Sequence, residues 1–320
     1  TVACKSSIIS GSFNVILGAT DIDTSSYHFI GGGEINKIKG HANFSDVDKF
    51  SAILTGHGNQ IEACAGHNLI SSGAFNCILN PVKGSNQCLS WNTIGNGLNN
   101  CIETGWYNQI IQGNSNIISG NASCFNSILN AVTSCITSCY SFIGSGQSNF
   151  IDINSFSFIV GGNENCNYAC FSNIVGGKSN YIDADASYNT ISGGCNNKAY
   201  GMYNGILSGI NNTISNIYST VLGGVNNIVS GAASSVLGGE CNVVSGRYSS
   251  IIGGSLNNDN GLPYVGIFGQ NISASCPNTF YVECLNACAT PFYNSCLPVG
   301  TFSYIPFSCL MPTDKVIVLV

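Results

Sequence analysis

Charged side chains are scarce in this chain. Asp, Glu, Lys and Arg make up 8% of the 320 residues, against about 25% in an average soluble domain. The balance is acidic, with a formal net charge of -6 and an isoelectric point near 5.0. A nucleic-acid partner selects for a basic stripe, so the composition argues against one. Asn, Ser, Thr and Gly must therefore supply most of the polar surface.

Proline and long apolar runs are also rare. The chain has 7 prolines and 39 glycines, which excludes collagen, since that fold needs glycine at every third position and much proline. No apolar run approaches about 18 residues, so no membrane insertion is expected. The first residues, Thr1 to Cys4, include no Met and no signal peptide. This beginning predicts a processed product or a fragment of a longer protein.

Glycine and asparagine recur in a fixed pattern. Seven successive segments carry a glycine pair, or Ser-Gly in one case, followed three residues later by asparagine. From Gly194 to Gly254 the period is 15 residues throughout, and a short fixed period is typical of a solenoid. The second glycine and the asparagine of each segment are Gly162 and Asn165, Gly177 and Asn180, Gly194 and Asn197, Gly209 and Asn212, Gly224 and Asn227, Gly239 and Asn242, and Gly254 and Asn257.

Two further columns of the repeat are aliphatic. They lie five and twelve residues after the second glycine, where β-branched side chains fit the stacked pleats of a solenoid interior. The position four residues after the glycine varies, as in Phe150 and Tyr181, which predicts an outward face or a subunit interface. The predicted core residues of the regular repeats are Ile182, Ile191, Ile206, Ile214, Val221, Val229, Val236, Val244 and Ile251.

The glycine and the asparagine have a structural interpretation. Glycine adopts the positive φ of a tight turn without penalty. Asparagine tolerates the same region, and its amide can bond the backbone of the neighbouring coil. We therefore expect an Asn ladder along one edge. A row of asparagines that binds an ion or a glycan is the alternative, but recurrence at every coil favours the structural role.

The repeat divides the chain into a shaft and a C-terminal segment. Residues 1–275 form the predicted shaft, which is regular over 146–269 and looser over 1–145. In the looser part, Gly32 is predicted to be the turn glycine of its coil, and the pattern is weak between 120 and 144. The insertions at 19–25 and 41–49 predict recognition loops. Residues 276–320 are richer in proline and aromatics, and predict a small β cap that covers the last coil. A receptor-binding tip is the alternative for this segment.

Cysteine is unusually abundant. The 17 cysteines form an odd number, so they cannot all pair within one chain. Cys77, Cys88 and Cys101 each lie four residues after a glycine. Equivalent Cα atoms of adjacent coils lie about 4.8 Å apart, so these three are candidates for a disulfide or thiol ladder. Buried thiols are the favoured interpretation for most of the cysteines. We predict no metal or cofactor site.

An enzymatic role would require clustered acids. Spikes that cleave glycosides use a pair of carboxylates at a defined separation. Asp and Glu total 15, and the densest groups are those at 21–23, 46–48 and 183–185. If any of these Asp pairs lay on a strand, its two carboxylates would share a face, but exposed loop acids explain them adequately. The chain is therefore predicted not to be an enzyme.

The repeat resembles two families of trimeric surface proteins. Its step of Ser, two aliphatic residues and two glycines resembles the heads of trimeric autotransporter adhesins, and its Gly-Gly-x-x-Asn variant resembles fibre repeats of phages and large viruses. The segments 266–272 and 277–285 are similar to the end of such arrays in tail-fibre proteins. The resemblance implies a parallel β-roll with three chains packed about an axis, which the chain leaves near residue 285.

These observations together predict an all-β fold. We expect a parallel β-solenoid or β-roll of coils of about 15 residues, assembled as a homotrimeric rod with a small C-terminal β cap. The expected function is a structural fibre on a virion or an extracellular appendage, which presents an adhesive surface to a cell-surface glycan or protein receptor. The alternatives are a bacterial trimeric adhesin head, a self-polymerising extracellular filament and a polysaccharide-degrading tailspike.

Overall fold

The computed structural model describes residues 6–17, 26–40, 49–63, 66–80, 90–103, 105–120, 124–152 and 156–282. All regular structure in these ranges is β. The described residues contain no helix that is long and apolar enough to cross a membrane. The chain divides into two compact units, Thr1–Tyr188 and Asn189–Val320, called unit 1 and unit 2 below.

Unit 1 is a two-sheeted parallel β-solenoid. Each coil contributes one strand to each sheet: the odd-numbered strands pair with one another, and so do the even-numbered strands. The strands are β1 (Ser7–Ile8), β2 (Val15–Leu17), β3 (Ser26–Ile30), β4 (Lys37–Gly40), β5 (Lys49–Ile53), β6 (Gln60–Ala63), β7 (Gly66–Ile70), β8 (Cys77–Asn80), β9 (Thr93–Ile94), β10 (Cys101–Ile102), β11 (Gln109–Asn114), β12 (Ile117–Ile118), β13 (Ser127–Val132), β14 (Cys135–Ile136), β15 (Phe142–Gln147), β16 (Phe150–Ile151), β17 (Phe158–Ile159), β18 (Cys166–Asn167), β19 (Asn173–Ile174) and β20 (Tyr181–Ile182).

Unit 2 has the same construction. Its odd-numbered strands up to β29, followed by β30 and β31, form one parallel sheet, and the even-numbered strands form the other. The predicted solenoid fold is therefore confirmed. The strands are β21 (Thr190–Ile191), β22 (Lys198–Ala199), β23 (Gly205–Ile206), β24 (Thr213–Ile214), β25 (Thr220–Val221), β26 (Ile228–Val229), β27 (Ser235–Val236), β28 (Val243–Val244), β29 (Ser250–Gly253), β30 (Gly266–Phe268) and β31 (Phe280–Val282).

The core of each unit consists of two aliphatic columns, one from each sheet. All nine predicted core residues of the regular repeats, from Ile182 to Ile251, are 0% exposed. Asn167 and Ala199 occupy the same column in their own coils and are also buried. Full burial of an Ile or Val side chain stabilises by about 1.5–3 kcal/mol. The interior is narrow, so each coil depends on its neighbours for burial.

The predicted asparagines form a buried ladder. Asn227 Nδ2 donates to Gly239 O and to Asn212 Oδ1, both at 3.0 Å, and Asn227 Oδ1 accepts from the N–H of Asn242 at 3.1 Å. Each amide therefore ties its coil to the coil before it and the coil after it. The Asn ladder of the regular repeats comprises Asn165, Asn180, Asn197, Asn212, Asn227, Asn242 and Asn257, all at most 1% exposed.

The glycine of each turn is required for two reasons. The seven predicted glycines, from Gly162 to Gly254, have φ between 88 and 102°, a region that other residues rarely adopt. A Cβ added at Gly224 would also collide with the carbonyl oxygen of Gly239 in the next coil. The predicted anchor at Gly32 is wrong by one residue. Gly33 has the positive φ, 90°, because it is Gly33 that lies three residues before the buried Asn36.

Several predictions concern the irregular segments. The insertions at 19–25 and 41–49 lie outside the described residues, except that Lys49 begins β5. Residues 124–144 continue the coils, and Ser134 takes the ladder position: its N–H donates to Asn116 Oδ1 at 3.0 Å. The C-terminal cap is described only as far as Val282, so most of 276–320 lies outside the described residues.

Replacement of one ladder residue tests this construction. We expect Asn227→Ala to destabilise unit 2 by about 1–3 kcal/mol, because it leaves the buried N–H of Asn242 without its acceptor. The change also removes one of two hydrogen bonds to the carbonyl of Gly239, which keeps the bond from the N–H of Val225. The measurement is thermal unfolding by circular dichroism. Ser230→Ala is the control, since the half-buried Ser230 hydroxyl bonds only Ser215 Oγ, at 3.2 Å. Equal melting temperatures for the two variants would contradict the proposed role of the ladder.

Candidate functional site

A column of stacked rings runs along unit 1. Neighbouring ring centroids lie 4.5 to 5.8 Å apart, and most neighbouring planes are nearly parallel. We call this set the aromatic column. Its ten members are Tyr27, Phe50, His67, Trp91, Tyr107, Phe125, Tyr140, Phe156, Phe171 and Tyr188.

The backbone that presents these rings is unusual. From Tyr107 onwards, each member has a positive φ of 52 to 64°, which is rare for a bulky side chain. The residue after each ring turns inward and is buried, as Asn126 and Ser141 show, and the N–H of Ser141 donates to Asn126 Oδ1 at 2.9 Å. Stacked aromatic pairs contribute about 0.5–1.5 kcal/mol each beyond burial. Stacking therefore offsets the cost of the left-handed backbone.

Unit 2 contains an interrupted version of this feature. Tyr203 stacks on Tyr218 with centroids 5.0 Å apart, and Tyr248 stacks on Tyr264 at 5.1 Å. Ala233 takes the intervening position and has the same left-handed backbone, with φ of 53°. The left-handed turn therefore does not depend on an aromatic side chain, because the coil imposes this backbone conformation even where no ring is present.

Filling this interruption tests the balance between strain and stacking. We expect Ala233→Tyr to stabilise unit 2 by about 1–2 kcal/mol, because the new ring would gain Tyr218 and Tyr248 as neighbours. The backbone already has the required φ, so little new strain arises. Ala232→Tyr, which makes the same change one residue earlier, is the matched control and should show no gain. A lower melting temperature for Ala233→Tyr than for the parent would overturn this account.

The first coils of unit 1 form a groove beside the aromatic column. Its volume is about 740 Å³. Tyr27, Phe50 and His67 form one row, since they are register partners across β3, β5 and β7. The adjacent row runs from Ser7 through Phe29 to Gln109 on the same sheet. The described lining residues are Ser7, Tyr27, His28, Phe29, Phe50, Ser51, Ala52, His67, Asn68, Leu69, Trp91, Thr93, Tyr107 and Gln109.

Trp91 differs from the other rings at the groove. It is 47% exposed. Its plane is tilted by 51° from that of His67, whereas the planes of Tyr27 and Phe50 differ by 7° and those of Phe50 and His67 by 8°. The described lining contains Ser, Thr, Asn and Gln but no Asp, Glu, Lys or Arg. An aromatic groove with a few neutral polar groups is typical of a site for a neutral organic ligand.

Unit 2 carries a stripe of exposed aliphatic side chains. Leu207, Leu222, Leu237 and Ile252, the aliphatic column, each follow a buried core residue and so point outward from the same sheet. They are 41 to 49% exposed. The outward residues beside them are Gly, Thr or Ser, so no charge interrupts the stripe. The variable position four after the glycine also faces outward, and Ile228 there is 42% exposed.

The structure places two of the three candidate ladder cysteines together. Cys77 and Cys101 are register partners and form a disulfide with a Cα–Cα distance of 4.6 Å. Cys88 lies outside the described residues, and the direct pairing of β8 with β10 leaves no coil between Cys77 and Cys101. The other described cysteines are thiols: Cys124, Cys135, Cys139, Cys166, Cys170, Cys195, Cys241 and Cys276.

Cys135 and Cys166 do not have the properties of an activated thiol. Burial raises the pKa of the Cys135 thiol to about 11, helped by the negative charges of Glu103 and Asp152. Burial likewise raises the pKa of Cys166. A catalytic cysteine has a lowered pKa that keeps it as the thiolate near neutral pH, so these thiols do not form a nucleophilic centre.

One of the three acid pairs that the sequence singles out lies in the described ranges. Asp183 and Asp185 lie at a turn rather than on a strand, so their carboxylates do not share the face of a strand. Asp183 accepts a hydrogen bond from the hydroxyl of Tyr181 at 2.7 Å. The acids at 21–23 and 46–48 lie outside the described residues. No three His, Cys, Asp or Glu side chains among the described residues come together in a group that could hold a metal ion.

The aromatic column was not predicted from the sequence, although a signal exists. An aromatic residue directly precedes an inward Asn or Ser at intervals of 15 to 18 residues, as in Tyr107-Asn108, Phe125-Asn126 and Tyr140-Ser141. The groove left no comparable signal, because its members are separated by irregular insertions. Comparison with protein-family models finds no match, and comparison with curated proteins finds no similar sequence.

Proposed function

We propose that this chain is a structural β-solenoid fibre protein with an adhesive groove, and that the groove binds a neutral saccharide on a cell surface. The single observation that carries the proposal is the aromatic groove in the first coils of unit 1, whose described lining has no Asp, Glu, Lys or Arg. Residues 18–25, 41–48 and 81–89, outside the described ranges, directly precede the segments that bear it. Irregular insertions of this kind are where repeat scaffolds usually carry recognition.

The chemistry of the lining favours a saccharide. The tilted indole of Trp91 offers an apolar surface to the C–H face of a sugar ring, while Thr93 and Gln109 offer hydrogen-bond donors and acceptors to its hydroxyls. An acidic glycan would be held best by the permanent charge of Lys or Arg, and the described lining contains neither. A neutral sugar therefore fits better than a charged one.

We also propose that the chain assembles with copies of itself as a homotrimer. The aliphatic column of unit 2 supports this assembly, since burial of the exposed half of each side chain contributes about 1 kcal/mol. A second copy has the same coil spacing and uncharged surface, so its side chains match the stripe coil by coil. The proposed location is a virion surface or an extracellular appendage. A bacterial adhesin head, a self-polymerising filament and a polysaccharide-degrading tailspike are the alternatives.

Glycan binding tests the groove. On an array of neutral and acidic glycans, we expect selective binding to neutral saccharides, and we expect Trp91→Ala to weaken it at least about tenfold, since loss of a central aromatic contact typically costs about 2 kcal/mol. Tyr248→Ala is the matched control, because Tyr248 is an exposed ring of unit 2 and is not among the described lining residues of the groove. Binding to acidic glycans alone, or equal binding by the two variants, would count against the proposal.

Light scattering after size-exclusion chromatography tests the assembly. We expect three times the chain mass of 33.4 kDa, and a shift towards the monomer for Leu222→Glu, because a charge would then face the apolar stripe of the next chain. Asn226→Asp adds the same charge at an exposed turn and is the control. A stable parent monomer would refute self-assembly. A trimer unaffected by Leu222→Glu would place the interface elsewhere.

A further inference from the structure

We propose that Cys124 and Cys139 are an oxidation site, at which a small-molecule disulfide converts two thiols into a second covalent link between adjacent coils of unit 1. The two Sγ atoms lie 2.9 Å apart, and the residues are 15 positions apart in sequence. Both side chains are partly exposed, so a soluble oxidant can reach them. This proposal does not rest on the fibre or adhesive function.

Contacts of the residues that follow the two cysteines hold their coils in register. The N–H of Tyr140 donates to the carbonyl of Cys124 at 2.8 Å. The rings that follow them in sequence, Phe125 and Tyr140, stack with centroids 5.0 Å apart. The N–H of Ser141 bonds Asn126 Oδ1 at 2.9 Å. Because these contacts fix the relation between the two coils, a disulfide forms with only a small movement of the side chains.

The same relation already carries a disulfide elsewhere in unit 1. Cys77 and Cys101 occupy equivalent positions of adjacent coils and are bonded, with Cα atoms 4.6 Å apart. By contrast, Ile117 is the register partner of Cys101 on β12, and Cys135 follows one coil further on β14. The register partners of Cys135 are Ile117 and Phe150, so neither is a cysteine. Two cysteines can therefore be joined where they occupy equivalent positions of adjacent coils, and the number of cysteines does not by itself produce such a pair.

The reaction is a two-step thiol–disulfide exchange with oxidised glutathione as the oxidant. One cysteine thiolate attacks a sulfur of the oxidant, and the disulfide bond of the oxidant breaks. The attacking cysteine is then joined to one glutathione as a mixed disulfide, and the other glutathione is released. The neighbouring thiolate then attacks the protein sulfur of the mixed disulfide and releases the second glutathione. The protein sulfurs lose two electrons, the oxidant gains two, and the two thiol protons end on the released glutathione.

The thiol chemistry gives the reaction a pH dependence. Burial, together with the hydrogen bond and charge of Cys139, raises the pKa of the Cys124 thiol to about 12. The attacking species is the thiolate, and its fraction at Cys124 rises with pH throughout the range below 12. Oxidation should therefore be faster at pH 9 than at pH 7.

Peptide mapping tests the link in the parent protein. After treatment with oxidised glutathione, alkylation and chymotrypsin digestion, cleavage after Phe125 and Leu129 separates the two cysteines unless they are joined. We expect a cross-linked peptide pair that reductant splits, with fragmentation assigning the bond to Cys139 rather than Cys135. Recovery of Cys124 and Cys139 in alkylated form after oxidation would overturn the proposal, and so would glutathione adducts without a cross-link.

Matched variants test the consequence for stability. We expect the oxidised parent to melt about 5 °C or more above oxidised Cys139→Ser, because the link constrains a 15-residue loop of the unfolded chain. Cys135→Ser should keep both the cross-link and the higher melting temperature. Both variants retain Cys77 and Cys101, so that disulfide does not account for the difference. Equal melting temperatures for the three oxidised proteins would show that the pair does not join the coils.

Discussion

The bridging of adjacent coils by asparagine amides is the interaction on which the rest of this structure depends. The space between the two sheets holds little more than two aliphatic columns, so the turn carbonyls and amides need partners in the neighbouring coils. Asn227 shows how one side chain meets this need, with bonds to Asn212, Gly239 and Asn242. Because both donors and acceptors are used at each coil, the coils stack in one register, and the isoleucines align as a consequence.

Because the register is fixed, residues that repeat in the sequence form continuous columns on the surface. Residues one period apart become neighbours about 4.8 Å from each other, so one residue type repeated along the chain becomes a continuous column. The rings of unit 1, the leucines of unit 2 and the cysteine pairs all arise in this way. The groove is where the columns lose their regularity, at the tilted ring of Trp91. A uniform solenoid offers a uniform surface, and local recognition needs such a departure.

The turns also show where local rules give way to tertiary context. A positive φ normally selects Gly or Asn. The turn before the Asn ladder follows that rule at Gly224 and Gly239 but not at Cys241, which has a φ of 54°. The opposite turn places Phe125, Tyr140 and Phe156 in the same conformation. Each ring rests on the ring of the next coil, so the stacking contacts offset the backbone strain. An isolated turn with these residues would lose that contribution.

The sequence by itself determined the coil. The glycine turn, the Asn ladder and the two aliphatic columns recur at a fixed period, and each has a local physical reason that is visible in one repeat. Only the tertiary structure decided which irregular segments become neighbours. It brought Cys77 directly against Cys101, placed Ser134 in a ladder position and assembled the groove around Trp91. Those contacts join coils whose separation in sequence varies with the insertions between them, so spacing alone does not specify them.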